Sequence, residues 1–500
     1  MKAFTLPLCA ALISSALPAF AGQKPNILVL YADDLGFGDL TCYNPDSKIP
    51  TPNLDRLASE GLSFRDGHSS SGICTPSRYA LLTGRHHWRD FHGIVGALGG
   101  TVFKEGQLTL PGMLKANGYR TAAIGKWHLG WDWDAIRKPG TPKKSVKHSD
   151  FDWSKSVPEG PMSIGFDSYF GDTVINFPPY AWIEDDKLVK APDTQMDTKV
   201  WPTIKEGNWE CRPGPMVTGW NPYENIPTTT AKGVETIKSL AAEEEPFFLY
   251  FAFPSPHAPI IPNDKFDGKS KAGPYGDFVF ETDDSVGQLL AALEESGEAD
   301  NTIVFFSADN GPERYCYARD EKFDHWSSHP LRGCKRDIHE GGHHVPFIIR
   351  YPGVTKAGTT TDALASQTDV FATLAESAGC ELPEKSGAED SFSLMPVLKG
   401  APTSGRESIV HNTKAGQYAL RHGDYLLIDS KTGHLSGVPK SWLEKHDTPA
   451  EKGPVHLYNL KDDIGQRKDL AEAMPEKVEE LRKKLASLRE SKATAPRLAE

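Results

Sequence analysis

Two adjacent pairs of hard-oxygen residues stand far apart in the chain, Asp33-Asp34 and Asp309-Asn310. Three carboxylates and an amide carbonyl suit calcium first and magnesium second, and suit zinc or copper poorly. One Asp-Asp pair alone reads as a helix cap or a turn; the second pair moves the balance towards a cation. A nucleophile is offered by Cys74 in the run Cys74-Thr75-Pro76-Ser77-Arg78. A lone cysteine is more often a buried core thiol, and a second reading is a thiolate whose pKa Arg78 lowers. The Cys-to-Arg spacing is too short for a phosphatase cradle, in which the two residues flank a longer loop. Lys126, His128 and His257 add a cation for an anionic substrate and two imidazoles that exchange protons near neutral pH.

An open α/β sheet would gather these residues. Short apolar, β-rich runs cover residues 26–31, 120–124, 247–253, 302–307 and 345–350. Asp33-Asp34 follow the first, Lys126 and His128 the second, His257 the third and Asp309-Asn310 the fourth. Ligands in such sheets bind beyond the carboxyl ends of the strands, so topology alone makes these groups converge. Helical patterns lie between the strands, over 52–61, 108–117, 228–244 and 278–295. Strands alternating with helices predict an α/β/α sandwich around a large sheet. Residues 139–223, crowded with Pro, Asp and Trp, predict long loops inserted on the site side of that sheet. Past Cys380, strand-like pieces at 408–411, 418–421 and 425–429 precede a charged helix over 475–492. They predict a smaller C-terminal antiparallel sheet subdomain with a helix packed on it. The expected division is therefore 24–380 for a catalytic domain and 381–500 for an α+β subdomain.

The 500 residues carry 55 Lys plus Arg against 67 Asp plus Glu, a formal net charge of -12. Such a field repels nucleic acid and anionic membranes, whereas a few local cations still bind an anionic substrate. Residues 1–21 read as a signal peptide: Lys2 gives a positive start, 6–16 are mostly apolar, and Ala19-Phe20-Ala21 offers a cleavage site. The apolar stretch is short and broken by Pro7 and Pro18, so the expectation is export to the periplasm or beyond, with no membrane span. Cys9 falls in this segment, and if chemistry consumes Cys74 then Cys42, Cys211, Cys316, Cys334 and Cys380 cannot all pair with one another.

The run from Cys74 to Arg78, continuing through Leu81, Thr83 and Gly84, resembles the signature of the sulfatase family. The resemblance extends to residues 26–38, to Gly125-Lys126-Trp127-His128-Leu129-Gly130, to Pro256-His257 and to Ser307-Ala308-Asp309-Asn310-Gly311. Arg332-Gly333-Cys334-Lys335, followed by Glu340-Gly341-Gly342, resembles the block that brings a lysine to the sulfate. The order of blocks matches, and the nearest type is the arylsulfatases within the alkaline phosphatase-like superfamily. The resemblance implies that a separate maturation enzyme oxidises Cys74 to formylglycine (3-oxoalanine). It implies one Ca²⁺ held by Asp33, Asp34, Asp309, Asn310 and the matured residue 74. Lys126, His257 and Lys335 are implied to touch the substrate, Arg78 to hold the hydrated aldehyde, His128 to assist there and His257 to protonate the leaving oxygen. One hydroxyl of the hydrate attacks sulfur, and deprotonation of the other expels sulfate.

His339-Glu340-Gly341-Gly342-His343 also matches the zinc-protease pattern. That chemistry needs a helix, which two central glycines disfavour by about 1 kcal/mol each, so the match reads as chance. A phosphonate or phosphate ester hydrolase of the same superfamily is the enzymatic rival, and an inactive carbohydrate-binding relative the non-enzymatic one. The intact set from Asp33 to Asn310 argues against the latter. Trp131, Trp133, Trp182, Trp201, Trp209, Trp220 and Trp326 are candidate sugar-stacking faces, packing being the alternative for each. With the expected export, they lean towards an exo-acting enzyme on galactose- or N-acetylgalactosamine-type saccharides of glycosaminoglycans or algal polysaccharides.

Overall fold

The first strand, β1 (Asn26–Ala32), is buried along its whole length, because successive side chains alternate between two apolar cores. Ile27, Val29 and Tyr31 enter one, while Leu28, Leu30 and Ala32 enter the other. The computed structural model describes residues 23–498, so the expected signal segment lies outside them. β1 is flanked by β7 (Phe247–Ala252) and β8 (Thr302–Ala308), both parallel to it. β3 (Arg120–Gly125) and then β4 (Ser168–Gly171) continue the parallel set beyond β7.

Beyond β8 come β9 (Phe347–Arg350), antiparallel to it, then β2 (Leu62–Phe64) and β10 (Thr359–Thr361). At the opposite edge β5 (Ile183–Glu184) and β6 (Lys187–Leu188) complete a ten-stranded mixed sheet. Helices α1 (Pro52–Glu60), α4 (Asn225–Leu240) and α5 (Gly273–Glu295) cover one face. Helices α2 (Cys74–Thr83), α3 (Leu110–Ala116) and α7 (Asp369–Ser377) cover the other. This is the expected α/β/α sandwich.

The differences have local causes. α5 starts five residues before the apolar pattern suggests, because Pro274 is tolerated in a first turn. α4 stops at Leu240, before the acidic run Glu243-Glu244-Glu245, which would oppose a helix C-terminal dipole. The 139–223 insertion is not all loop, since β4, β5 and β6 extend the large sheet. Pieces of two to four residues are too short to show a period.

Past Cys380, Ala388, Leu394, Met395, Val397 and Leu398 still pack in a core of the large sheet. A separate antiparallel sheet follows: β11 (Ser408–Lys414), β12 (Gln417–His422), β13 (Tyr425–Asp429) and β14 (His456–Asn459). Its apolar face packs on Val478, Leu481 and Leu485 of α8 (Pro475–Glu490). Among the described residues Cys42, Cys74, Cys211, Cys316, Cys334 and Cys380 are all free thiols, and no helix is long and apolar enough to cross a membrane.

Candidate active site

The loops leaving β1, β3 and β8 keep hydrogen bonding to neighbouring strands beyond the sheet, which holds their polar ends in register. Asp33 N–H donates to Ser255 O at 3.0 Å, Asp309 N–H to Ala32 O at 3.0 Å and Lys126 N–H to Ala252 O at 2.9 Å. Gly125, at φ +92, lets the chain turn there: a Cβ would lie 2.0 Å from Ala252 O. Asp34 (φ 63) and His128 (φ 53) adopt left-handed backbone without being glycine, the kind of strain that persists where surrounding contacts impose it.

α2 delivers the candidate nucleophile, Cys74. Cys74 is its first residue, and Arg78 follows one turn later on the same face. All ten residues of α2 are buried. Thr75 Oγ1 donates to His128 O at 2.8 Å, tying the helix start to the β3 loop.

The side chains form one network. Cys74 Sγ lies 3.6 Å from Asp33 Oδ1 and marks where oxygens of an oxidised residue 74 would stand. Lys126 Nζ donates to Asp33 Oδ2 at 2.5 Å, and Lys335 Nζ to Asp34 Oδ2 at 2.7 Å. Arg78 donates from Nε and Nη2 to Asp309 Oδ2 at 2.9 and 2.8 Å. Asp309 Oδ1 accepts the Asp34 N–H at 3.1 Å. Asn310 Nδ2 donates to Asp34 Oδ1 at 2.7 Å. His257 Nδ1 donates to Ala258 O at 2.5 Å, leaving Nε2 facing Asp34 Oδ2 at 3.7 Å. His128 Nε2 donates to Val95 O at 3.0 Å, and its Nδ1 is buried without a partner among the described residues.

Three buried carboxylates thus meet three buried cations. Burial, then Asp33, pushes Asp309 above the usual carboxylate range. Burial also works to raise Asp34, but the Lys335 ammonium above all holds it below. Burial, then Lys335, pushes His257 down to about 3, so the resting ring is neutral. Burial, then Asp309, drives the Cys74 thiol far up, which disfavours a thiolate nucleophile.

The residues fit a hard divalent cation. Donor atoms of Asp33, Asp34, Cys74 and His257 lie within 4.8 Å of one another. Asn310 Oδ1 is a buried acceptor without a donor among the described residues, beside carboxylates that supply further oxygen ligands.

Sequence reasoning missed Glu313, which lies 3.4 Å from Lys335 Nζ and 2.6 Å from Arg336 Nη1. Burial works to raise it, yet Lys335 and Arg336 hold it down to about 2. A single glutamate after Asn310-Gly311-Pro312 gave no signal. Phe177, from the insertion, sets its ring 5.5 Å from that of His128, with the Arg212 guanidinium 5.6 Å from the same phenyl ring. Trp131, Trp133, Trp201, Trp220 and Trp326 are buried packing residues; Trp182 and Trp209 are partly exposed. His339 and His343 do not share a cluster: His339 meets Glu451, and His343 meets His68 and His411. The zinc-protease pattern therefore has no common metal position here.

The sulfatase family model matches residues 25–380. An N-acetylgalactosamine-6-O-sulfatase of Bacteroides thetaiotaomicron is 33% identical over 502 residues, covering 93% of each chain. Human arylsulfatase A is 31% identical, covering 94% of this chain and 89% of its own. A solved Bacteroides thetaiotaomicron structure, described in connection with the metabolism of multiple glycosaminoglycans, superposes with a TM-score of 0.77. It is 30% identical and covers 94% of this chain and all of its own. With its sheet, its carboxylate pairs and its buried Cys-x-Pro-x-Arg helix start, the chain belongs to the sulfatase family and is a sulfuric ester hydrolase.

Proposed function

We propose that the protein hydrolyses sulfate esters of sulfated saccharides, foremost galactose- or N-acetylgalactosamine-type sugars, using formylglycine made from Cys74 and Ca²⁺ held by Asp33, Asp34, Asp309 and Asn310. The observation that carries this reading is the meeting of Cys74 with Asp33 beneath two lysines, one on each carboxylate of the Asp33-Asp34 pair. Similarity to an N-acetylgalactosamine-6-O-sulfatase along nearly the whole chain supports the sugar class. Export and a maturation enzyme belong to the same reading, as does a division into units 24–380 and 381–500.

Formylglycine would supply a hydrated aldehyde, with one hydroxyl to attack sulfur and a second whose deprotonation expels sulfate and restores the aldehyde. Calcium would supply the charge that acidifies the attacking hydroxyl. Arg78, clamped on Asp309, holds residue 74 in place. Lys126 and Lys335 meet the sulfate oxygens where negative charge develops. His257 gives its Nε2 proton to the leaving sugar oxygen; because Nδ1–H is held by Ala258, the donating ring is the imidazolium. Sulfate charge offsets the two lysines and favours that protonated ring. His128, with Nε2–H held by Val95, has only Nδ1 left to take the proton from residue 74.

The test is sulfate release from a panel of 6-O- and 4-O-sulfated galactose, N-acetylgalactosamine and N-acetylglucosamine saccharides. The enzyme is co-produced with a maturation system, and Cys74→Ala serves as the blank. Release from a galactose or N-acetylgalactosamine member is expected. Cleavage of an aryl sulfate with silence on all of those members would reject the sugar class and keep the chemistry. Silence on everything, with formylglycine at position 74 confirmed by mass, would reject the mechanism.

A further inference from the structure

The His339-to-His343 motif that plays no part in the active site leads to a second cluster of imidazoles. α6 (Glu340–His343) is a single turn, and it aims His343 away from His339. The His343 ring stacks on His411 at 3.4 Å between centroids and 9° between planes. Its Nδ1 lies 3.2 Å from Nδ1 of His68. His68 belongs to the two-residue strand Gly67–His68 beside the large sheet, whereas His411 belongs to β11 of the small sheet. All three side chains are fully buried.

A hydrogen count exposes the peculiarity of the cluster. His68 Nε2 donates to Asp66 Oδ1 at 2.7 Å, which fixes the tautomer and leaves a lone pair on Nδ1. Nδ1 of His343 faces that lone pair. Nε2 of His343 and both ring nitrogens of His411 have no hydrogen-bond partner among the described residues. Buried polar groups ordinarily find partners, and here three nitrogens of two adjacent rings do not.

Three buried imidazoles are a ligand set for a borderline divalent cation. One nitrogen from each of His68, His343 and His411 lies within 4.8 Å of the others, and joint ligation requires His411 to turn out of its parallel stack on His343 so that the lone pairs converge. The 3.2 Å between His68 and His343 is close to the ~3.3 Å separating two nitrogens on one tetrahedral zinc. The Asp66 carboxylate behind His68 is the outer partner that such ligands usually have, and buried Glu340 adds a second negative charge nearby.

We propose that His68, His343 and His411 form a zinc-type metal site, separate from the oxygen-lined active site, that fastens the C-terminal sheet to the large sheet. The test uses the full chain saturated with Ca²⁺, so that the oxygen site does not compete. One equivalent of Zn²⁺ is expected to survive dialysis and to raise Tm. Co²⁺ in its place should give imidazole-type visible bands without the near-ultraviolet thiolate band that binding at Cys74 would produce.

His411→Leu should lose the zinc equivalent and the rise in Tm, and Asp66→Asn should weaken zinc by about 10–100-fold. If His411→Leu does not fold, the wild-type cobalt spectrum and Asp66→Asn still decide. Overturning results are no zinc retained by the wild type, a thiolate band with cobalt, or zinc affinity unchanged in either variant.

Discussion

His257 is held through one ring nitrogen, and its proposed role as proton donor falls to the other. With Nδ1 donating to Ala258 O, only Nε2 faces the carboxylates and the lysines. Leaving-group protonation matters most where the departing oxygen is a poor leaving group, as in a sugar alcohol, and little for a phenol. His257→Ala is therefore expected to cut kcat on sugar sulfates by about 10²–10⁴-fold and to spare activated aryl sulfates. Steady-state kinetics on both classes decide this, and equal losses would remove His257 from the role. Arg78 shows how much a short spacing specifies: four residues after Cys74 on one helix face, it reaches Asp309 from the far pair. Glu313 marks the opposite limit, because its contact with Lys335 exists only after two loops meet.

At the scale of elements, the site depends on the close approach of the loop after β8 to the turn α6. Gly311 N–H donates to Gly342 O at 3.0 Å, and a Cβ on Gly311 would lie 1.9 Å from Gly341 O. Both atoms are fixed by backbone, so Gly311→Ala must push the two segments apart and drag Asp309 and Asn310 with them. The expected cost is about 1–3 kcal/mol of stability, with weaker calcium binding. Denaturant unfolding and calorimetric titration read the two effects. Gly100→Ala, where a Cβ meets no atom within 4 Å, is the control expected to change neither; a Gly311→Ala protein equal to that control would refute the contact. The same Gly-Gly step keeps α6 to one turn, with His339 just before it and His343 at its end facing different clusters.

At the scale of the whole molecule, buried ion pairs join segments distant in sequence. Asp390 accepts from His86 N–H at 2.9 Å, from Arg89 Nε and Nη2 at 2.7 Å each, and from Thr494 Oγ1 at 2.8 Å. It links the exit of α2 to the chain after α8. Burial works to raise its pKa, but His86 and Arg89 more than offset this and hold it well below the carboxylate range. Its stabilisation is therefore complete above the unfolded carboxylate pKa of about 4 and is lost as pH falls towards the depressed folded value. Asp390→Asn is expected to cost about 3–5 kcal/mol at pH 7 and to flatten the fall of stability below about pH 4. Unfolding curves across pH test it, and an unchanged acid slope would assign the acid sensitivity elsewhere.

The residue types and their order determined the chemistry of the chain: paired carboxylates after apolar runs, a cysteine one helical turn from an arginine, and lysines and histidines in matching blocks. The strands were legible because a doubly covered strand must be continuously apolar, and the C-terminal meander because turns punctuate it. Tertiary structure alone decided what depends on contacts between distant segments. It decided which lysine meets which carboxylate, that Asn310 Oδ1 lacks a donor, and that β4, β5 and β6 extend the sheet from what reads as loop. It also separated His339 from His343 and brought His68, His343 and His411 together. Such pairings are set by the packing of segments tens to hundreds of residues apart, and local periodicity carries no record of them.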